Sequence, residues 1–365
     1  MLGTAEGVFR QGNSSVCVAL EGIELAKWDT GELVTQTAAN PVGKQNAIHH
    51  GDLQLALLDR AQELEKIEIR FGVTAADVDV ETSTVVLSDG ERIEGFDLII
   101  AADGVKSKIK PKVCPPEASR AQPTGEAAYR FTLDRSVLES DKEVLALVQR
   151  PWAVRWDGPS RHVVAYPLRN HQLLNVVLIH PDDSQAHDVE SWTSVADKQE
   201  VIADYQGWNP TVLKLVNLAQ AEVPNFRMFV HPPSPVWFKG STILLGDACH
   251  AMLPYLGQGV AQAVDDAATI ATVLSTIRSS EQLPLALRAY EASRKERVEQ
   301  IQAATQVARK HLHLKDREAQ AVRDLQRKEA SEANQNTDVV KMQHSYWAWN
   351  AVEVAQNALA KLAAA

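Results

Sequence analysis

The stretch from Gly240 to Ile277 decides the fold, and it begins Gly240-Ser-Thr-Ile-Leu-Leu-Gly-Asp-Ala-Cys-His-Ala-Met-Leu-Pro-Tyr-Leu-Gly-Gln-Gly-Val260. The apolar run from Thr242 to Leu245 predicts a short strand that is buried on both faces. Gly246 ends this strand, so we expect a loop there, with Asp247 at the carboxyl end of the strand. Open α/β sheets bind their ligands at that edge, and the segment therefore predicts a ligand site.

A helix is predicted from Gly259 to Ile277, because small apolar residues recur at intervals of three and four positions. The face predicted to be buried consists of Val260, Ala263, Val264, Ala267, Ile270, Ala271, Leu274 and Ile277. The opposite face carries Gln262, Asp265, Asp266 and Thr269. Gly257 and Gly259 leave the backbone bare at the helix N-terminus, where free N–H groups and the helix dipole favour negative charge.

These features suit a flavin, since Asp247 can accept a hydrogen bond from a ribityl hydroxyl and the helix N-terminus can stabilise charge on the reduced ring. By themselves they are about equally consistent with a structural corner of strand, loop and helix. The order of the residues favours the flavin. It reads Gly246-Asp247-Ala248-x-His250-x-Met252-x-Pro254, followed by Gly259, and closely resembles the second flavin motif of the class A aromatic hydroxylases. That family includes salicylate hydroxylase and p-hydroxybenzoate hydroxylase.

The resemblance extends to Asp265-Asp266-Ala267, which is similar to the Glu-Asp-Ala segment of the family. A second motif runs from Phe96 to Ser107, where an apolar strand is followed by Asp103. It resembles the family's Gly-Ala-Asp-Gly-x-x-Ser motif for FAD and pyridine nucleotide, with Ala101 in place of the first glycine. The resemblance implies that Asp103 supports the cofactor site. The residues that it implies as direct FAD contacts here are Asp247, Gly257, Gly259 and Val260.

A further contact is implied near His50, where the family has an arginine that contacts FAD in a His-Arg-x-Asp-Leu segment. A histidine can still donate a hydrogen bond to a phosphate, although it lacks the permanent charge and the parallel N–H donors of an arginine guanidinium. A histidine that merely begins a helix is an equally good interpretation of the residues. Asp52 is predicted to cap that helix.

The start of the chain departs from the family. Gly3, Gly7 and Gly12 lack the Gly-x-Gly-x-x-Gly spacing, and no apolar strand precedes them. The resemblance then implies that the N-terminal βαβ unit is missing, so we expect FAD to bind weakly or not at all. Two alternatives stay open. The sequence is an N-terminally truncated gene product, or the protein is a flavin-free relative that binds a metabolite or acts as an acid–base cyclase or isomerase.

The middle of the chain has the character of an antiparallel sheet with short turns. Arg130 and Tyr166 lie in two of its strand-like segments and match positions that some fungal relatives use as a catalytic arginine and tyrosine. Arginine would hold a phenolate or carboxylate, and tyrosine would hydrogen-bond a substrate oxygen. Taken alone, both residues are better interpreted as ordinary strand positions. We predict that they face one cavity from neighbouring strands.

The expected fold class is α/β, with an incomplete FAD-binding parallel sheet domain, an inserted antiparallel β-sheet substrate domain and C-terminal helices. The FAD-binding domain is expected at residues 1–115 and 236–310, the substrate domain at 116–235, and a charged linker with a final helix at 311–365. By resemblance, the protein is an FAD-dependent monooxygenase that uses NAD(P)H and O2. It is expected to hydroxylate an aromatic or polyketide-type small molecule in secondary metabolism.

Composition excludes several other classes of partner. The net charge of −10 and the pI of about 5.6 argue against nucleic acid and anionic membranes. No apolar run approaches membrane-spanning length, and no secretory signal begins the chain. The three cysteines do not have the spacing of metal ligands, so no metal site is expected. These features predict a soluble cytoplasmic protein.

Overall fold

A computed structural model describes residues 16–38, 45–182, 194–332 and 346–364 of the chain. The chain divides into two compact units. Unit 1 comprises Met1–Ile69, Gly125–Arg227 and His311–Ala348, and unit 2 comprises Arg70–Thr124, Met228–Lys310 and Trp349–Ala365. The prediction of a missing βαβ unit rests on residues 1–12, which lie outside the described residues.

The strands, in chain order, are β1 (Cys17–Leu20), β2 (Gly22–Lys27), β3 (Leu33–Ala38), β4 (Gln45–Ile48), β5 (Ala75–Asp79), β6 (Thr84–Leu87), β7 (Arg92–Ile93), β8 (Ile99–Ala101), β9 (Gln122–Asp134), β10 (Trp152–Gly158), β11 (Arg161–Leu168), β12 (Leu173–Pro181), β13 (Val195–Asp197), β14 (Glu222–Val230), β15 (Phe238–Lys239) and β16 (Thr242–Leu244). The helices are α1 (His50–Gln62), α2 (Lys110–Val113), α3 (Pro116–Ser119), α4 (Arg135–Leu138), α5 (Lys142–Gln149), α6 (Lys198–Asp204), α7 (Pro210–Leu218), α8 (Asp247–His250), α9 (Gly259–Thr276), α10 (Leu283–Leu312), α11 (Arg317–Glu332) and α12 (Ala351–Ala364). Short 3₁₀ turns occupy Pro254–Leu256 and Ser280–Gln282.

Unit 1 is built on an eight-stranded sheet with the order β13-β14-β9-β12-β11-β10-β2-β3. Strands β9, β12, β11 and β10 pair antiparallel, as predicted for the middle of the chain. Successive side chains alternate between the two faces of a strand. On one face, Tyr129, Phe131 and Leu133 join a hydrophobic core that includes side chains of α4 to α7. On the other face, Arg130 and Thr132 are exposed.

The pairing of β2 differs from the domain assignment that we expected for this strand. β2 was expected in the FAD-binding domain, but Gly22 to Lys27 pair in parallel with Trp152 to Asp157 of β10. This pairing places β2 and β3 in the large sheet of unit 1. The local pattern of β2 predicts a strand, but it contains no information about a partner that lies 130 residues later along the chain.

The charged segment after residue 310, predicted to be a linker, contains the helix α11. This helix is attached to the sheet of unit 1, because Arg323 and Arg327 donate to the backbone oxygen and the carboxylate of Asp157 at 3.2 and 2.8 Å. Burial opposes ionisation of Asp157, but the charges of Arg155 and Arg327 outweigh burial and lower its pKa. The many charges of this segment therefore serve partly as buried ion pairs, which a local sequence pattern cannot distinguish from solvated charges.

A chain of buried polar groups lies at the same end of the sheet. His162 of β11 and His313 approach each other at 2.7 Å between Nδ1 and Nε2, and His313 Nδ1 lies 2.7 Å from the Glu126 carboxylate. Burial, reinforced by His313, lowers the pKa of His162 well below its usual value. These contacts fix the segment between α10 and α11 against β9 and β11.

Unit 2 contains a three-stranded sheet with the order β15-β16-β8. β16 pairs in parallel with β8, with Thr242 opposite Ile99 and Leu244 opposite Ala101. Ile243 and Leu244 are fully buried in a core shared with residues of α9 and α10. The predicted buried strand is therefore confirmed. Because the two strands are parallel, the residues that follow them emerge at the same edge of the sheet.

The orientation of α9 differs from the prediction. Gln262, Asp266 and Thr269, which were assigned to its polar outer face, are buried, whereas Val260 and Val264 are 51% and 48% exposed. The amphipathic analysis assumed that polar side chains face water. Here the buried polar groups have partners inside the protein instead. The Thr269 hydroxyl, for example, donates to the backbone oxygen of Asp265 at 2.7 Å.

Across the described parts of the chain, none of the helices has both the length and the apolar character needed to cross a membrane. The same residues contain no group of three histidine, cysteine, aspartate or glutamate side chains that could hold a metal ion.

Candidate active site

Asp247 lies at the carboxyl end of β16, as predicted. The expected loop is wrong, however, because Asp247 is the first residue of the four-residue helix α8. Gly246 adopts φ 60°, a conformation that favours glycine, and its carbonyl accepts hydrogen bonds from the N–H groups of Cys249 and His250 at 2.8 and 2.9 Å. These two hydrogen bonds hold the turn after Gly246, and the turn leaves the Asp247 side chain exposed.

The N-terminus of α9 lies just beyond the 3₁₀ turn Pro254–Leu256. Gly257 has the left-handed φ of 61°, and a Cβ added to Gly257 or Gly259 would meet no atom within 4 Å. The side chain of the N-cap residue Gln258 accepts a hydrogen bond from Gln262 Nε2 at 3.2 Å but caps none of the backbone N–H groups of this 18-residue helix. Its first N–H groups therefore have no side-chain cap, and open space lies beside them, as a site for an oxygen-rich or anionic group requires.

Asp103 follows β8 at the same edge of the sheet. Its carboxylate accepts hydrogen bonds from the Ser107 hydroxyl at 2.6 Å and from the Lys108 N–H at 2.8 Å. These hydrogen bonds to Asp103 stabilise the turn that follows β8. Lys110 is fully buried and donates from Nζ to the Cys249 oxygen at 2.8 Å. Burial lowers the pKa of Lys110.

A buried ionic network that was not predicted lies behind Asp247. Asp266 of α9 accepts hydrogen bonds from Gly246 N at 2.9 Å, His250 Nε2 at 2.7 Å and Arg294 Nε at 2.7 Å. Burial opposes ionisation of Asp266, but the hydrogen bond and charge of His250, together with Arg294, lower its pKa. The Arg294 guanidinium also lies over the Trp349 ring, 4.6 Å from the centroid.

In unit 1, Arg130 and Tyr166 share one face of the large sheet. Arg130 pairs with Val177 of β12, and Val177 pairs in turn with Val164 of β11. Tyr166 is two residues beyond Val164, so its side chain points to the same face as that of Arg130. The two side chains therefore share a face of the sheet, whereas the common cavity that we predicted stays a prediction. The prediction of neighbouring strands is wrong, because β12 lies between β9 and β11.

The surroundings of this pair are both polar and apolar. Arg130 is exposed, and no carboxylate of the described residues lies within salt-bridge distance of it. Burial raises the pKa of Tyr166, and the charge of Arg130 opposes that rise. Asn175 pairs with Tyr166 and buries an amide nitrogen that has no partner among the described residues. An apolar cluster packs against Tyr166 and consists of Ala47, Leu168, Leu173 and the partly buried Leu20.

Comparisons with known proteins agree with this geometry. The family described as "FAD binding domain" matches residues 25–305. The FAD-dependent monooxygenase ntnJ of Nectria sp. is 72% identical over 98% of this chain and 84% of the relative. The FAD-dependent monooxygenase atnJ of Arthrinium sp. is 70% identical over the same shares.

The chain belongs to the FAD-dependent monooxygenases. Its expected resemblance to the class A aromatic hydroxylases is confirmed, and FAD is its cofactor. A solved structure described as a salicylate hydroxylase substrate complex has a TM-score of 0.76 at 21% identity and covers 97% of this chain and 88% of that chain. This likeness confirms the expected α/β fold class.

The residues of unit 2 in this monooxygenase fit a flavin. An exposed carboxylate, Asp247, stands at the end of a parallel strand. Gly257 precedes α9 and Gly259 begins it, and no side chain caps its N-terminus. Together they provide an acceptor for ribityl hydroxyls and donors for the oxygen-bearing edge of the ring.

His50, for which the resemblance implies a contact with FAD, lies at the start of α1 in unit 1. His50 is exposed and is the first residue of the helix. Asp52 is not the cap that we predicted, because His49 occupies that position and makes no side-chain cap hydrogen bond. Asp52 instead accepts two hydrogen bonds from Arg169, each of 2.8 Å, which lower its pKa.

The resemblance of Asp265-Asp266-Ala267 to a family segment assigned no function to Asp266. The available signal was the pair of adjacent aspartates on a helix that is rich in small apolar residues. The partner of Asp266 could not be identified, since Arg294 lies 28 residues further along the chain.

Proposed function

We propose that this protein hydroxylates an aromatic or polyketide-type small molecule in secondary metabolism, with NAD(P)H as the reductant of its FAD. The observation that carries the proposal is the shared face of Arg130 and Tyr166 on the large sheet of a chain whose relatives are named FAD-dependent monooxygenases. Unit 2 is the FAD-binding unit, and unit 1 supplies the substrate-binding face.

Cofactor binding is assigned to a small set of groups. The Asp247 carboxylate accepts a hydrogen bond from the ribityl chain, and the N–H groups of Gly259 and Val260 donate to the polar edge of the ring. Gly257 keeps the approach to that edge free of side chains. Asp103 supports the site through the turn that it holds, and His50 donates to phosphate. When bound and reduced, FAD supplies the activation of O2.

Arg130 provides the electrostatic part of substrate binding. A phenol or enol becomes a much better carbon nucleophile when it is ionised. An arginine that has no carboxylate partner among the described residues can stabilise the resulting oxyanion. Its planar fork can also hold a neighbouring carboxylate or carbonyl oxygen through two parallel hydrogen bonds.

Tyr166 orients the substrate oxygen. Because burial raises its pKa, the hydroxyl stays protonated at neutral pH and acts as a hydrogen-bond donor. The apolar cluster against which Tyr166 packs partly shields the tyrosine from water.

The test uses the full chain. The purified protein is titrated with FAD and followed by flavin absorbance and fluorescence. It is then supplied with NADH or NADPH, a panel of phenols and resorcylic ketones, and ¹⁸O2. The proposal is supported by FAD binding and by incorporation of one ¹⁸O atom into a phenolic product. Tight FAD binding would at the same time contradict the weak binding that was expected from the glycine spacing of residues 1–12. A folded protein that binds no FAD and converts a substrate without O2 would refute the proposal and favour the acid–base alternative.

A further inference from the structure

The carboxylate of Asp266 lies at the junction of the two segments to which flavin binding is assigned. It accepts a hydrogen bond from Gly246 N, directly before Asp247, and it stands on α9, seven residues after Gly259. Seven residues are about two helical turns, so Asp266 lies on the first half of the helix whose N-terminus is the second segment. One side chain thus connects both segments.

The close approach of these segments depends on Gly246. A Cβ added to Gly246 would lie 3.3 Å from the Cβ of Ala263 in α9, which is tighter than ordinary contact. The end of β16 therefore lies directly against the helix. A small displacement of α9 would break the hydrogen bond between Gly246 N and Asp266, and it would also displace the turn that carries Asp247.

Arg294 and His250 hold the carboxylate in place. Asp266 and Arg294 are both fully buried, so neither charge can be stabilised by water. Arg294 donates through Nε to Asp266 and through Nη2 to the side chain of Gln262, each at 2.7 Å. His250 donates to the other carboxylate oxygen at 2.7 Å. The network therefore fixes the position of Asp266 from α8, α9 and α10 together.

We propose that Asp266 is a positioning residue for the flavin, which keeps Asp247 and the N-terminus of α9 in the relative geometry that FAD binding requires. This inference rests on the proposed function, since it assumes that these two segments bind FAD. It assigns Asp266 no direct contact with the cofactor.

Asp265 offers a matched control. It is the adjacent aspartate on the same helix, and its carboxylate lies 3.6 Å from Arg294 Nη1. Its side chain is 26% exposed, however, and it makes none of the three hydrogen bonds that Asp266 makes. Replacing either aspartate with asparagine removes one negative charge near Arg294, but only Asp266→Asn disturbs the connection to Gly246.

The experiment compares the wild type, Asp266→Asn and Asp265→Asn as full chains. Thermal unfolding of the apoprotein establishes that each is folded. FAD affinity is then measured by quenching of flavin fluorescence, and the fraction of consumed O2 that is released as H2O2 is measured with a phenolic substrate. We expect Asp266→Asn to weaken FAD binding about tenfold or more and to increase H2O2 release, because it loses charge-assisted hydrogen bonds. Asp265→Asn should change both values less than about threefold.

A second pair of variants covers the case in which Asp266→Asn does not fold. His250→Leu removes one of the three donors, and His250→Gln restores an uncharged N–H donor at a similar distance from the backbone. We expect weaker FAD binding in His250→Leu and recovery in His250→Gln. A role in stability alone predicts lower unfolding temperatures in both the Asp266 and the His250 variants, with FAD affinity and H2O2 release unchanged in the folded fraction.

The possible failures can be separated. If the wild type binds no FAD, the proposed function fails and the inference fails with it. If the wild type binds FAD and hydroxylates a phenol, but folded Asp266→Asn matches Asp265→Asn in affinity and H2O2 release, only the inference is overturned.

Discussion

Replacement of Arg130 with glutamine tests the substrate face most directly. Arg130 is exposed on the face that it shares with Tyr166, and the described residues offer it no carboxylate partner. Arg130→Gln therefore removes a charge that no internal ion pair requires, and the fold should remain stable. Thr132→Val is the matched control, since Thr132 is exposed on the same strand and the same face.

The magnitude follows from the contact that Arg130 is proposed to make. A hydrogen bond from a charged group contributes about 1.5–3 kcal/mol, and about 1.4 kcal/mol corresponds to a factor of ten. We therefore expect kcat/KM to fall about 10- to 150-fold in Arg130→Gln for a phenolic substrate. Arg130→Lys keeps the charge but loses the planar fork, so its loss should be smaller. Thr132→Val should stay within about threefold of the wild type.

The assay compares a phenol with its methyl ether, which cannot ionise. Rates of substrate-dependent O2 consumption and product formation are measured for both compounds with each variant. If Arg130 stabilises an oxyanion, Arg130→Gln should lose activity towards the phenol and show little further loss towards the ether. An equal loss for both compounds, or a loss below about twofold for the phenol in a folded variant, would refute the reasoning.

Three further results are expected. Tyr166→Phe should lower kcat about tenfold through loss of one hydrogen bond. In the wild type, Tyr166 should not ionise between pH 7 and 9, because burial raises its pKa. A step in the pH–rate profile in that range that disappears in Tyr166→Phe would contradict this. Because the pKa of His162 is lowered in the folded state, the unfolded chain takes up a proton below about pH 6.5 that the folded protein does not. As the pH is lowered further, the free energy of unfolding should therefore decrease by up to about 1.4 kcal/mol per pH unit. Between pH 7.5 and 5.5, the free energy of unfolding measured with urea should decrease less in His162→Gln than in the wild type. Equal decreases in the two proteins would exclude His162 as the cause. Ile243→Ala should reduce the free energy of unfolding by about 2–5 kcal/mol, since Ile243 is fully buried, and a loss below about 1 kcal/mol in urea unfolding would show that the site collapses without a cavity.

Several features of the fold and the site were predictable because they depend on neighbours in the chain. The apolar run before Gly246 predicts a buried strand, and the strand places Asp247 at its carboxyl end. The strand-like segments around Arg130 and Tyr166 were likewise recognisable from local composition. Family resemblance then added the identity of the cofactor, which the residues alone left open.

Other features were missed because they depend on pairing between distant segments. The hydrophobic pattern of α9 predicted the wrong buried face, because Asp266 is stabilised in the interior by Arg294 of a different helix. The strand between β9 and β11 could not be inferred either, since strand order is not encoded in local alternation. Likewise, the segment that contains α11 was expected to be a charged linker, although Arg323 reaches a buried residue of β10.

The sequence by itself determined the buried strand before Gly246, the N-terminus of α9 at its glycines and the family to which the chain belongs, since each depends on residues that are adjacent or closely spaced. Only the tertiary structure decided which face of α9 is buried, which strands separate Arg130 from Tyr166 and which donors surround Asp266. The physical reason is that a buried polar group is stable only with partners, and those partners lie on segments that are far apart in the chain and meet only after folding.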